Sequence, residues 1–187
     1  LLIAAYIGES AGNYRLMLLH TLIAGILWIY SKYVKNTFLL GNVLVATASS
    51  AVVLTYFIFE SLGYIKAYGD ILKINFKTIF GGPLNTLWLY SIGLSLFGFL
   101  LSIIREIVKD LQDYQGDFTD GASTVPIVLG EKATKAIVIL LSILLGLSLI
   151  YVLHFKLSSP PFDELPFMLY IWLLVIAPIA DIIYGVV

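Results

Sequence analysis

The residues best suited to chemistry lie in one polar stretch, residues 105–130. At the helical period of 3.6 residues, four acidic side chains at positions i, i+4, i+7 and i+11 fall within roughly 60° of one another. They are Glu106, Asp110, Asp113 and Asp117. Like charges at i, i+4 destabilise a helix by about 0.2–0.5 kcal/mol per pair. A divalent cation would compensate, and Mg²⁺ prefers a few carboxylates together with water and phosphate oxygens. The spacing therefore indicates a magnesium site for a phosphorylated substrate.

Two cations, Arg105 and Lys109, accompany the acidic stripe. A guanidinium and an ammonium beside a metal site are what a diphosphate also requires. The polar stretch therefore predicts a diphosphate site. The alternative is a solvated loop whose acids pair with Arg105, Lys109 and Lys132.

Long apolar runs must position this stretch. The chain has 187 residues, 60% apolar and 12% charged, with a mean hydropathy of +0.97. A helix needs about 20 apolar residues to cross a bilayer. The predicted spans are residues 16–34, 38–59, 83–104, 136–153 and 165–180, with residues 1–8 as the tail of a further one. Strands of a membrane barrel would alternate polar and apolar residues, and these runs do not. The predicted fold class is all-α, a polytopic transmembrane helix bundle.

The segments between the predicted spans carry further structural signals. Residues 61–82 mix lysines with aromatic and aliphatic residues, which predicts an amphipathic helix in the membrane interface. Gly116 and Gly121 allow the chain to turn after the acids, and Pro126 suits the exit from that turn. The last span is expected to stop at Asp181.

A net charge of -1 points to no nucleic-acid partner, and the absence of cysteine excludes thiolate chemistry.

Two motifs resemble a known superfamily. The run Arg105-Glu-Ile-Val-Lys-Asp-Leu-Gln-Asp-Tyr-Gln-Gly-Asp117, followed by Gly121-Ala-Ser-Thr-Val-Pro126 and Leu129-Gly130, resembles the second aspartate-rich region of the UbiA superfamily of membrane prenyltransferases. The stretch from Tyr30 to Thr37, followed by Gly41-Asn42, is similar to a turn common in that superfamily. The order of the motifs and the placement of the spans agree along essentially all of the chain.

This resemblance implies a bundle of nine spans around a central cavity. Two aspartate-rich segments hold Mg²⁺, which binds the diphosphate of a polyprenyl donor, and a lipophilic acceptor takes the prenyl group. Carried over by position, Asp113 and Asp117, with Asp110 beside them, are the expected catalytic and metal-binding residues. The expected diphosphate-binding residues are Lys35, Arg105 and Lys109, and the expected substrate-binding residues are Tyr30 and Asn42.

Within the superfamily, the acidic motif resembles the archaeal-type enzymes of ether-lipid synthesis more than the ring-prenylating quinone enzymes. That implies geranylgeranyl diphosphate as donor and a geranylgeranylglycerol phosphate as acceptor. The alternative is an aromatic-acid prenyltransferase of a quinone pathway. The non-enzyme alternative is a cation-coupled membrane transporter, although transporters usually place charge near the middle of the membrane.

The resemblance also bears on extent and location. It implies one transmembrane prenyltransferase domain over residues 1–187, truncated at both ends, because the first aspartate-rich motif of the superfamily is absent. The isolated chain is therefore expected to be inactive. The expected location is a multi-pass position in the cell membrane. The aspartate-rich loop is expected on the cytoplasmic side, because prenyl diphosphates approach from the cytosol.

Overall fold

The fold is helical throughout the part of the chain that the structure describes. This computed structural model describes residues 15–72, 85–155 and 172–186, together with residues 6, 9 and 169. Within those ranges there is no strand. Among the described residues, three helices are long and apolar enough to cross a membrane, over Leu40–Gly69, Leu87–Gln112 and Glu131–Val152. The prediction of an all-α transmembrane fold is confirmed.

The chain divides into two compact units. The first comprises Leu1–Lys35 with Leu40–Ser102, and the second comprises Asn36–Leu39 with Ile103–Val187. The described helices are α1 (Arg15–Ile29), α2 (Leu40–Leu72), α3 (Asn85–Gln112), α4 (Tyr114–Thr119), α5 (Val125–Leu129), α6 (Glu131–Phe155) and α7 (Ala177–Val186). Five-residue π-helices follow α1 over Tyr30–Val34 and precede α7 over Trp172–Ile176.

In the first unit, α1 and its π-helix cover the predicted span at residues 16–34. The π-helix closes with the Lys35 amide, which donates to the Tyr30 carbonyl at 2.9 Å. Gly41 then lets α2 begin close to the π-helix. A Cβ at this position would lie 3.0 Å from the carbonyl oxygen of Val34 and 3.2 Å from the ring of Tyr30. Only glycine fits that approach without displacing its neighbours.

The next span is longer than predicted, because α2 passes through Glu60 and continues to Leu72. The separate interfacial helix predicted at residues 61–82 is therefore wrong for residues 61–72, and residues 73–82 lie outside the described part. A charged residue does not end a helix when its side chain can point outward, and Glu60 is exposed. Small residues join α2 to α3 as expected in lipid, since the Ser95 hydroxyl donates to the Ser50 carbonyl at 3.0 Å.

In the second unit, α3 ends two turns beyond the predicted limit of its span, at Gln112. Helix α6 covers the predicted span at residues 136–153, and α7 packs against it. The expectation that the last span stops at Asp181 is wrong, because α7 continues through Asp181 to Val186. Pro178 is the second residue of α7 and directly follows the π-helix over Trp172–Ile176. Residues 165–168, 170 and 171 of that span, and most of residues 1–8, lie outside the described part.

Candidate active site

The predicted metal-binding aspartates lie where α3 meets α4. Asp113 is the turn residue between the two helices, with φ -86° and ψ 4°. Its amide donates to the Lys109 carbonyl at 2.9 Å, and the Asp117 amide donates to the Asp113 carbonyl at 3.0 Å. Hydrogen bonds of helical spacing therefore continue across the junction. They keep Asp113 and Asp117 one helical turn apart, as the sequence spacing predicts.

The four-residue acidic stripe divides into two parts. Glu106 is buried, and its carboxylate accepts a hydrogen bond from the Arg105 guanidinium at 2.7 Å. Asp110 and Asp117 are half-buried, and Asp113 is exposed. The pairing of an acid with Arg105, offered above as an alternative, is thus correct for Glu106. Asp110, Asp113 and Asp117 form what we call the acidic side of the site.

The chain turns sharply after the last of these aspartates. The turn uses Gly121, whose φ of 70° is left-handed, and Ala122 donates its amide to the Asp117 carbonyl at 2.9 Å. The prediction for Gly121 is confirmed. The prediction for Gly116 is wrong, because Gly116 lies inside α4. Pro126 follows the turn, as predicted, and lies in the first turn of the short helix α5, which fits its fixed φ and missing N–H.

Sequence reasoning missed two features of the loop that follows. The Ser123 amide donates to the Asn36 carbonyl at 2.9 Å, which ties the Asn36–Leu39 segment to the loop within the second unit. The Thr124 hydroxyl is buried and has no hydrogen-bond partner in the described part of the chain. A backbone hydrogen bond leaves no trace in side-chain types. A threonine before a proline looks the same in sequence whether it is buried or exposed.

A second group of side chains lines a cleft of about 250 Å³ in the second unit. We call it the basic cleft, and it is formed by Arg105, Val108, Lys109 and Gln112 of α3 with Ile182 of α7. At the helical period, the centre of these α3 positions lies roughly 120° around the helix from the acidic side. The two predicted cations therefore line a separate cleft beside the aspartates. Ile182 carries no chemical signal in the sequence and was missed.

The other predicted site residues lie in the π-helix, in the turn that follows it and at the start of α2; they are Tyr30, Lys35 and Asn42. Tyr30 is half-buried, Lys35 is exposed, and Asn42 is buried with 6% of its surface accessible. All three belong to the first unit, whereas the aspartates belong to the second. Their assignment to substrate and diphosphate binding stays a prediction.

The acidic side offers the right donor set for Mg²⁺. Within the described residues, no three His, Cys, Asp or Glu side chains form a ready-made metal cluster. Magnesium does not need one, because it usually binds through one or two carboxylates and completes its shell with water and substrate phosphates. Asp113 and Asp117, one turn apart, provide such a pair. The magnesium assignment stays a prediction.

Comparison with known proteins places the chain among prenyltransferases. The UbiA prenyltransferase family matches residues 1–182. The digeranylgeranylglyceryl phosphate synthase of Methanopyrus kandleri is 32% identical over 121 residues, which are 65% of this chain and 35% of that protein. The synthase of the same name from Methanobrevibacter smithii is 30% identical over 119 residues, 64% of this chain and 34% of that protein. The one from Thermococcus kodakarensis is 41% identical over 51 residues, 27% of this chain and 18% of that protein.

The matched part of the chain thus spans about a third or less of the length of these curated relatives. The resemblance to the superfamily drawn from the two motifs is confirmed. No solved structure matches the chain.

Proposed function

The chain belongs to the UbiA prenyltransferase family, and on that premise we propose that its protein transfers a polyprenyl group from a prenyl diphosphate to a lipophilic acceptor. One observation carries the proposal, namely that the family match extends over residues 1–182 and so includes the whole acidic side. The preserved spacing of Asp113 and Asp117 across the α3–α4 junction supports it. A cation-coupled transporter is disfavoured by the same family match.

In the proposed reaction, the bond between the allylic carbon and the diphosphate oxygen breaks and diphosphate leaves. A hydroxyl oxygen of the acceptor bonds to that carbon, and its proton goes to the released diphosphate. We assign Asp110, Asp113 and Asp117 to holding Mg²⁺, which when bound would neutralise the charge of the leaving group. The carboxylates orient the diphosphate end, while apolar helices keep water from the reactive carbon.

The acceptor we propose is geranylgeranylglycerol phosphate, with geranylgeranyl diphosphate as donor, in ether-lipid synthesis. Two lines of support agree. The acidic motif resembles the ether-lipid branch of the family. The relatives from three archaea share a name that describes a product with two geranylgeranyl groups on glyceryl phosphate. Addition of the second geranylgeranyl group to a singly prenylated glycerol phosphate gives that product.

An acceptor screen tests this function directly. The complete protein, purified in detergent or nanodiscs, is given geranylgeranyl diphosphate and Mg²⁺ with geranylgeranylglycerol phosphate, 4-hydroxybenzoate or homogentisate. Mass spectrometry is expected to show transfer to the glycerol phosphate. Transfer only to an aromatic acid would overturn the lipid assignment, and no transfer to any acceptor would overturn prenyl transfer itself.

We also propose that the protein is a multi-pass protein of the cell membrane with the aspartate-rich loop on the cytoplasmic side. Helix α3 has 28 residues, a length of about 42 Å, so its two ends lie on opposite faces of a bilayer. The sequence has no cysteine, which suits single-cysteine labelling. A membrane-impermeant maleimide should label Asp120→Cys only from the cytoplasmic side and Asn85→Cys only from the other. The reverse pattern would overturn the orientation.

A further inference from the structure

We propose that the basic cleft binds the phosphate of a phosphorylated lipid acceptor, apart from the magnesium-bound diphosphate of the donor. This inference rests on the proposed function, because a reaction between a prenyl diphosphate and a glycerol phosphate brings two anionic groups to one protein. Two separate groups of side chains lie around the C-terminal end of α3, namely the acidic side, which continues through the junction into α4, and the basic cleft. Each side has the chemistry for one of the two groups.

The polar groups of the cleft are matched to a phosphate. Arg105, Lys109 and Gln112 follow one another at i, i+4 and i+7, so they share one side of α3. A guanidinium presents N–H donors in a fork that fits two phosphate oxygens, an ammonium adds a compact positive charge, and an amide adds further donors. Among the described residues that line this cleft there is no carboxylate.

Glu106 positions the guanidinium of Arg105 and leaves some of its N–H donors available to a ligand. The Glu106 side chain is only 8% exposed, whereas that of Arg105 is 75% exposed. The contact between them at 2.7 Å uses the Nη1 end of the guanidinium, and an arginine has five N–H donors in all. The buried carboxylate therefore acts as a fixed support from which the remaining donors of Arg105 can reach an anion.

The rest of the cleft is apolar and suits a lipid-linked phosphate rather than a free one. Val108 of α3 and Ile182 of α7 form its walls. The cleft has a volume of about 250 Å³. Apolar side chains thus stand beside the two cations, as a phosphate carried on an isoprenoid chain requires.

The position of the cleft argues against the diphosphate of the donor as its ligand. A diphosphate held through Mg²⁺ by Asp113 and Asp117 faces the acidic side, roughly 120° around α3 from the centre of the cleft. Lys109 borders both sides, because it precedes Asp113 by one turn and also lines the cleft. Arg105 lies about two turns before Asp113, so it is the residue that separates the two assignments.

The test measures KM for donor and acceptor separately in the complete protein. Losing hydrogen bonds to a charged group, as in Arg105→Gln, is expected to raise the KM for geranylgeranylglycerol phosphate about 10- to 100-fold. The KM for geranylgeranyl diphosphate and the magnesium dependence should stay within about twofold, since the acidic side is intact. Arg105→Lys should fall between wild type and Arg105→Gln. Lys132→Gln, an exposed lysine on α6 outside the cleft, is the matched control.

Two further assays identify the ligand of the cleft, a comparison of acceptors and inhibition by inorganic phosphate. Wild type should prefer the phosphorylated acceptor over geranylgeranylglycerol, and Arg105→Gln should lose that preference. Inorganic phosphate should inhibit wild type weakly and in competition with the acceptor only. Inhibition in competition with the donor, or equal inhibition of wild type and Arg105→Gln, would overturn the assignment.

The outcomes separate this inference from the function on which it rests. An increase in donor KM alone, or an equal increase in both KM values, would overturn the acceptor-phosphate assignment while prenyl transfer remains. Inorganic phosphate binding as tightly as the phosphorylated lipid would overturn the role of the apolar walls. If wild type transfers to no phosphorylated acceptor, the proposed function itself fails.

Discussion

The acidic side and the basic cleft both lie around the C-terminal end of α3, yet they are built in different ways. The acidic side depends on local backbone geometry, namely the junction at Asp113 and the left-handed turn at Gly121. The basic cleft depends on a tertiary contact, because α7 supplies one of its walls through Ile182. A site of the first kind is visible in residue spacing. A site of the second kind requires knowledge of which helix lies alongside.

The acidic side should respond most strongly to mutation. Asp117→Asn removes a charge proposed to hold Mg²⁺ against the leaving diphosphate, so kcat should fall about 10²–10³-fold. Asp113→Asn should behave similarly, with the acceptor KM little changed. Steady-state assays over a magnesium titration measure both effects. Asp120→Asn, an exposed neighbour in the following turn, is the control, and an equal loss in that variant would contradict the assignment.

The backbone conformation of the acidic side predicts a smaller effect, on the free energy of unfolding. Alanine substitutions at two glycines, Gly121 and Gly116, measure it. Gly121→Ala places a side chain at a φ of 70°, which should lower the free energy of unfolding by about 1–2 kcal/mol. Gly116→Ala lies in a helix with nothing within 4 Å of the added Cβ, so it should raise that free energy by about 0.5–1 kcal/mol. Thermal unfolding in one detergent measures both.

The two glycine variants should also differ in activity. The turn at Gly121 holds the Asp117 carbonyl through the Ala122 amide, so Gly121→Ala should lower kcat more than the acceptor KM changes. If both alanine variants destabilise the protein alike, the turn does not depend on left-handed geometry.

The basic cleft predicts the smallest effect, in its apolar wall. Ile182→Ala removes part of the surface that contacts the isoprenoid chain, and a loss of about 1 kcal/mol corresponds to an acceptor KM about fivefold higher. The donor KM should not change. Ile143→Ala, on an exposed face of α6, is the matched control, and an equal effect there would point to general loosening of the helices.

The sequence allowed the fold class and the aspartate spacing to be predicted, because both follow from periodicity. Uncharged runs of span length have few alternatives in a membrane, and i, i+4 spacing survives the junction at Asp113. Helix ends were less predictable. Helix α2 passes Glu60 and α7 passes Asp181, since an exposed acid interrupts neither backbone hydrogen bonding nor packing.

Pairings between distant residues were not predictable at all. Even for the neighbours Arg105 and Glu106, the sequence left an acid–arginine pair as one of two alternatives and did not indicate that Glu106 is the buried acid. Nor does any residue type mark the hydrogen bond from Ser123 to Asn36 or the wall formed by Ile182. These features depend on tertiary contacts between segments, and the periodicity of a single sequence does not indicate which segments are in contact.

Binding of inorganic diphosphate, measured by calorimetry on the complete protein, tests the central assignment of the acidic side most directly. Wild type and Arg105→Gln should both bind diphosphate when Mg²⁺ is present and not when it is removed by chelation. Asp113→Ala and Asp117→Ala should not bind it under either condition. Binding that persists without metal, or that survives loss of these aspartates, would contradict the assignment.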